Sequence, residues 1–254
     1  ATAQITVNEY NVVTIPSQVV QARDTMPSSG VQPGSAGTNQ TWDLSMLNNH
    51  EEDTMNFTNP NWTPYGGNYP SSNLAAQQGS EDFYIYLTNN SSGLFIDGFS
   101  GDIMGTGSAQ HFASNPSESI AMFPMNYNDS WTNYSEQNAT MDGSAMGVDS
   151  LRLKFTRDKD VTVDGWGDVT TPLGTFASLR LDEDMISTDS VWIYTTLTGW
   201  SLVQDGADTS QNYIWWTNDP SAGFPLVEMQ YDSATGVANS ASYLKSTPSA
   251  SVGE

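Results

Sequence analysis

Apolar and polar residues alternate with a period of two along much of the chain. Val161, Val163, Trp166 and Val169 sit among polar neighbours. Ala177, Leu179 and Leu181 alternate with Ser178 and Arg180. That period belongs to a strand with one buried face. Between the two runs lies Thr171-Pro172-Leu173-Gly174. Proline fixes its own φ, and glycine accepts a positive φ. The stretch therefore predicts a hairpin whose three-residue loop is 172–174. Similar runs occupy 5–15, 41–47, 53–58, 83–88, 94–99, 151–155, 191–197, 200–203, 213–217, 226–231 and 237–244. Glycine-containing turns such as "NNSSG" and "NDPSAG" separate them. Only 72–78 suggests a short helix. Residues 100–150 have weak periodicity, which fits a long loop region or a joint between subdomains.

Many short strands with regular turns predict an all-β fold. The expected architecture is an antiparallel β-sandwich or open barrel with long Asn/Ser/Gly-rich loops. Residues 1–245 read as one β-rich domain, with a candidate joint near 100–150, and 246–254 as a linker-like tail. Eight Trp, eleven Tyr and nine Phe supply a core although only 37% of residues are apolar.

The net charge is −22 although only 14% of residues are charged, so the acidity reflects scarce Lys and Arg. Such a surface repels nucleic acid and anionic membranes. No apolar run approaches the ~20 residues that span a bilayer as a helix. Neither nucleic-acid binding nor membrane insertion is expected. There is no cysteine, which excludes disulfides, thiol nucleophiles and thiolate metal sites. Ala1-Thr2-Ala3-Gln4 has the small-residue pattern found around a signal-peptidase cut. The expectation is a processed, secreted protein, extracellular or at the cell surface.

Four stretches carry a resemblance. They are "VQPGSAGTNQTWDLSML" (31–47), "FPMNYNDSW" (123–131), the hairpin "VDGWGDVTTPLGTFASLRL" (163–181), and "NYIWWTNDPSAGFPLVEMQYD" (212–232). In this order and spacing they resemble secreted Bacteroidetes surface proteins that are cargo of type IX secretion and end in a sorting domain. The resemblance covers about a quarter of the residues. It implies delivery outside the cell. It carries no established activity and no catalytic residues. It also suggests O-glycosylation where Asp precedes Ser or Thr and then an apolar residue: Thr25, Thr54, Ser150, Ser190 and Ser233. Ordinary turn chemistry explains the same short pattern.

No catalytic motif stands out. "GSAMG" places its serine second rather than central, so it is not a nucleophile elbow. His50 and His111 are far apart in sequence, and nothing local completes a triad or zinc site. With 29 acids a glycosidase pair is conceivable by number, but none is nominated. The chain is read as a non-enzyme with no required cofactor. Asp158, Asp160, Asp164 and Asp168 form a weak calcium candidate, against a solvated acidic turn. Arg152, Lys154 and Arg180 would form a basic patch if their strands are neighbours. That patch could dock an acidic glycan or another copy of the chain. The alternative is internal pairing with Asp182, Glu183 or Asp184. Tyr213, Trp215 and Trp216 place aromatics on both faces of one strand. Either one face is exposed for stacking, or two layers bury both.

The expected function is non-catalytic: an adhesive or structural surface protein, self-assembling into a filament or sheet, with itself or a surface glycan as partner. A glycan-binding module is the second reading, and a carboxylate-dependent glycoside hydrolase the third.

Overall fold

The computed structural model describes residues 3–79, 82–103, 105 and 107–249. The strands are β1 (Ser17–Asp24), β2 (Gly37–Asp43), β3 (Glu51–Thr58), β4 (Leu74–Gln78), β5 (Phe83–Asn90), β6 (Gly93–Gly101) and β7 (Gln110–Met122), followed by β8 (Ser130–Asp142), β9 (Ser150–Thr171), β10 (Gly174–Thr195), β11 (Gly199–Trp216), β12 (Val227–Asp232) and β13 (Val237–Leu244). The only helical pieces among the described residues are four single 3₁₀ turns. The all-β, antiparallel expectation holds. The sheet closes completely: twelve strands form a barrel, and β2 is added outside it, parallel to β9.

Three expectations are corrected. Residues 5–15 hold a 3₁₀ turn at Glu9–Asn11 and an isolated bridge from Val7 to Met125, and the first strand begins only at Ser17. Residues 74–78 form β4 rather than a helix, because Leu74 and Ala76 pack into the core beside Phe57 and Leu87. Residues 110–142 are largely two thirteen-residue strands, not a loop region. Their weak periodicity has a cause. The ladder between β7 and β8 is thin, with Ser114 and Gln137 its paired position. Side chains fill the gap. Asn133 Oδ1 accepts from the Ser119 amide at 3.0 Å, and its Nδ2 donates to the Ser117 carbonyl at 3.2 Å. Gln137 Nε2 donates to Ser114 Oγ at 2.7 Å. Polar residues therefore stand where a strand pattern would place apolar ones.

The barrel has an inner core and an outer one. Val19, Phe57, Val161, Val163, Leu181, Ile214 and Trp216 belong to the inward faces. Outside, residues 25–50 wrap over β9 to β13 and bury Trp42, Leu44 and Leu47 against Trp215, Met229 and Tyr243. Strands covered on both faces lose strict alternation.

The opening hairpin stands, with one correction. Pro172 and Leu173 alone form the loop, and Gly174 already pairs with Thr171. Gly174 keeps a positive φ of 150°. The other glycines of "VDGWGD" have a different role. β2 lies so close to β9 that a Cβ on Gly167 would sit 2.0 Å from the Gln40 carbonyl oxygen. A Cβ on Gly165 would meet Trp42 at 3.0 Å.

Gly167→Ala should therefore displace β2 and destabilise the fold by about 1–3 kcal/mol, the usual cost of overpacking. Gly206→Ala, where a Cβ meets nothing within 4 Å, should be nearly neutral. Paired denaturant titrations measure both, and equal effects would refute this account of Gly167.

Candidate functional site

The sequence-nominated residues divide between the two cores and an open shelf. Arg180 belongs to the outer core and is 2% exposed. Its Nε and Nη2 grip Asp164 at 2.9 and 2.6 Å. Its Nη1 donates to the Pro33 and Gly34 carbonyls. The guanidinium lies 4.9 Å from the Tyr213 ring and 5.5 Å from Trp42. Buried and fully engaged, Arg180 is unavailable to a partner. It pins the 33–34 turn to the barrel.

Tyr213 and Trp215 share that outer face, and Trp216 points inward. Trp215 is 0% and Trp216 1% exposed. The exposed-aromatic reading is corrected, because residues 31–47 cover one face of the strand and the barrel interior the other. Tyr213 is only half-buried, but its hydroxyl is pushed up to about 12 by burial and by the nearby Asp182 charge.

The calcium candidate disperses. Asp158 and Asp160 project outward along β9, Asp164 is committed to Arg180, and Asp168 lies beyond the bulge. Asp158 and Asp160 do line an acidic groove of about 620 Å³ with Asp184 and Gln211. Among the described residues no three His, Asp or Glu side chains converge as a metal set. Successive outward residues of a strand are about 7 Å apart, too far to share one ion at 2.3–2.6 Å without help from elsewhere.

The glycosylation candidates are mostly occupied by structure. Thr25, Thr54, Ser150 and Ser190 are half-buried, and Ser233 is exposed. Their aspartates do turn chemistry: Asp24 accepts from the Met26 amide, and Asp232 from the Ala234 amide. His111 meets a serine, with Ser100 Oγ 2.9 Å from its Nδ1. That serine is fully buried beneath Tyr69, so no substrate reaches it.

Arg152 and Lys154 are on the open part of the outer face, a long way along the sheet from Arg180. Register places Thr140, Arg152, Trp192 and Leu202 in one row across β8 to β11. The neighbouring rows hold Asn138 with Lys154, and Tyr194 with Trp200. Together Glu136, Asn138, Arg152, Lys154, Trp192 and Trp200 line a shallow recess of about 250 Å³. The Trp200 ring carries the Arg152 guanidinium at 4.0 Å and touches Tyr194 at 5.4 Å between centroids. Lys154 pairs with Glu136 at 2.9 Å. That hydrogen bond lowers the Glu136 carboxyl and raises the Lys154 ammonium. Trp192 and Trp200 were missed in the sequence. The signal was present: alternation puts Trp192 and Tyr194 on one face, and the turn at 196–198 folds Trp200 back onto it.

The inner face carries a second cluster. Lys159 Nζ lies 2.7 Å from Glu118 and 3.3 Å from Glu183. Asn212 Nδ2 donates to Glu183 at 3.1 Å. Burial works against the Lys159 charge, but the two glutamates outweigh it and raise its pKa. Glu228 faces the same interior. Water reaches it, yet the wall surrounds it, so lost solvation raises its carboxyl first and the Glu183 charge adds to that. The cluster pairs Lys159 with two glutamates and, among the described residues, holds no serine, threonine or histidine in its hydrogen bonds beyond Ser210.

A carboxyl whose folded pKa is raised costs stability once ionised. That cost is absent near the ordinary value of 4.5 and complete above the folded pKa. Glu228→Gln should therefore raise Tm at pH 7, and the gain should fade as the pH drops toward 4.5. Thermal melts of both proteins across pH 4–8 test this, and a pH-independent difference would contradict it.

No family model matches the chain, and no curated protein matches it. Two solved structures align over nearly its whole length. One is a candidate exported protein with a YmcC-like fold from Bacteroides fragilis, at 11% identity and TM-score 0.32, covering 96% of this chain and 99% of that one. The other is a candidate lipoprotein from Parabacteroides distasonis, at 12% identity and TM-score 0.35, covering 97% and 99%. At such scores neither likeness bears on what this chain does.

Proposed function

We propose that the chain is a non-catalytic, exported surface protein that adheres by holding a saccharide on the shelf of β8 to β11. The observation that carries this reading is the pairing of Trp192 and Trp200 in one open recess with Arg152, Lys154, Glu136 and Asn138. Aromatic planes offer a π-face to the C–H groups of a sugar ring, while charged and amide groups reach its hydroxyls. The volume, about 250 Å³, suits one or two sugar units rather than a large ligand. Export rests on the composition and the resemblance to type IX cargo.

A second reading is self-assembly, favoured by a different observation. β11 pairs with β12 only along Gln211–Trp215, so residues 199–210 keep one unpaired edge among the described residues. A free edge can add a strand from another copy. Asp205, Asp208 and a bulge opposite Val191 oppose such addition. The tail itself does not need a neighbour as far as Ser249, which exchanges backbone hydrogen bonds with Gln18 of its own chain at 2.8 and 3.1 Å. The rest of the tail lies outside the described residues. The open-edge reading expects sedimentation to show oligomers that a Val203→Pro variant abolishes, and a wild-type chain monomeric at high concentration refutes it.

For the adhesive reading, a glycan array should show saturable binding by the wild type. Trp200→Ala should weaken it roughly tenfold, equivalent to about 1.4 kcal/mol, without changing far-UV dichroism. An array with no binder, or binding indifferent to Trp200→Ala, would sink it.

A further inference from the structure

The chain has seven Lys and Arg against 29 Asp and Glu. In such excess of acid, nearly every cation finds a carboxylate. Lys154, Arg157, Lys159, Arg180 and Lys245 all do. Arg23 and Arg152 form no such pair among the described residues, but Arg23 shares its recess with Glu51, Glu52 and Asp53, whereas the acid lining the Arg152 recess is Glu136. Arg152 Nε donates to Thr140 Oγ1 at 3.3 Å, and its guanidinium carbon lies 4.0 Å from the centroid of the Trp200 ring. That leaves its two terminal nitrogens without a protein acceptor among the described residues. Next to it, Lys154 is already neutralised by Glu136. The recess therefore presents one uncompensated positive charge, held in place by an aromatic plane.

We propose that the shelf recognises a carboxylated sugar, a hexuronic acid residue of an acidic glycan, with Arg152 as the group that reads the carboxylate. This rests on the saccharide reading of the shelf. A guanidinium offers two parallel N–H donors that match the two oxygens of a carboxylate. The contact with Trp200 and the Thr140 hydrogen bond restrain the Arg152 side chain, so less freedom is lost when the ligand arrives. Trp192, beside it in the same row, supports the ring that bears the carboxylate. One cation suits a singly charged carboxylate. A polyanionic strand such as nucleic acid needs many cations, and the remaining surface repels it. Asn138 lines the recess and its Nδ2 donates to Glu136 at 3.3 Å, which leaves its Oδ1 to accept from a ring hydroxyl.

The test is calorimetric titration of the full chain with the methyl glycoside of galacturonic acid, with the methyl ester of that glycoside, and with neutral methyl galactoside, all in chelator. The wild type should bind the acid at least tenfold tighter than the ester, and more weakly as salt rises. Arg152→Gln should erase that preference, and Arg152→Lys should restore part of it. The ester comparison uses unaltered protein, so it stands even where Arg152→Gln disturbs Trp200. Equal affinity for acid and ester, lost in Trp200→Ala, overturns the carboxylate assignment and leaves the saccharide shelf standing. Failure of all three sugars to bind overturns the carboxylate assignment, and with an empty glycan array the shelf reading falls too.

Discussion

One strand has to serve three neighbours, and the rest of the molecule is arranged around that demand. β9 pairs with β10 along nearly its full length, with β8 over its first half and with β2 over its second. The handover occurs at Asp164 and Gly165, where the register slips by one residue. Two glycines let the β2 backbone approach, and Arg180 clamps the turn that delivers it. Removing one partner of that clamp would leave a buried charge uncompensated, a change that typically costs about 3–5 kcal/mol. The outer core, with Trp42 against Trp215, exists because this junction holds residues 25–50 on the wall.

The distribution of cations follows from their scarcity. A barrel of twelve strands is wider than side chains alone fill with ease, and its interior tolerates charge where water enters. Lys159 sits there between two glutamates, and Glu228 faces the same interior with its pKa raised. Arg180 is spent at the β9 junction. The shelf keeps one cation, Arg152, that no carboxylate pairs with among the described residues. A surface poor in Lys and Arg makes the location of each one informative, because a protein with abundant surface lysine would hide such a residue among many.

Period-two patterning, the Pro172–Gly174 turn and the aromatic content made the all-β class legible. Most strand positions followed from the same pattern. Closure did not, because no local signal distinguishes strands of a barrel from those of a sandwich. β4 was misread since its five residues are too few to show a period, and β7 and β8 since Asn133 and Gln137 replace apolar groups at their seam. Arg152 and Lys154 were nominated through charge, the rarest feature of the composition. Trp192 and Trp200 were passed over because adjacency across a turn needs the register as well as the alternation. Trp215 and Trp216 showed that two consecutive aromatics in a strand can both be buried when a second layer covers the outer face.

Closure also ties the beginning of the chain to its end. β1 completes the ring by pairing with β13, and Gln21 meets Leu244 about 220 residues away in sequence. Neither strand has its final neighbour until nearly all of the chain is available. Hairpins such as β9–β10 can form early and locally, but the ring cannot close around them before β13 arrives. Folding should therefore be slow, with a late, steep step in which one long-range contact converts a curled sheet into a sealed cylinder. A chain built this way stays threadable until its last strand, then becomes hard to open from either end.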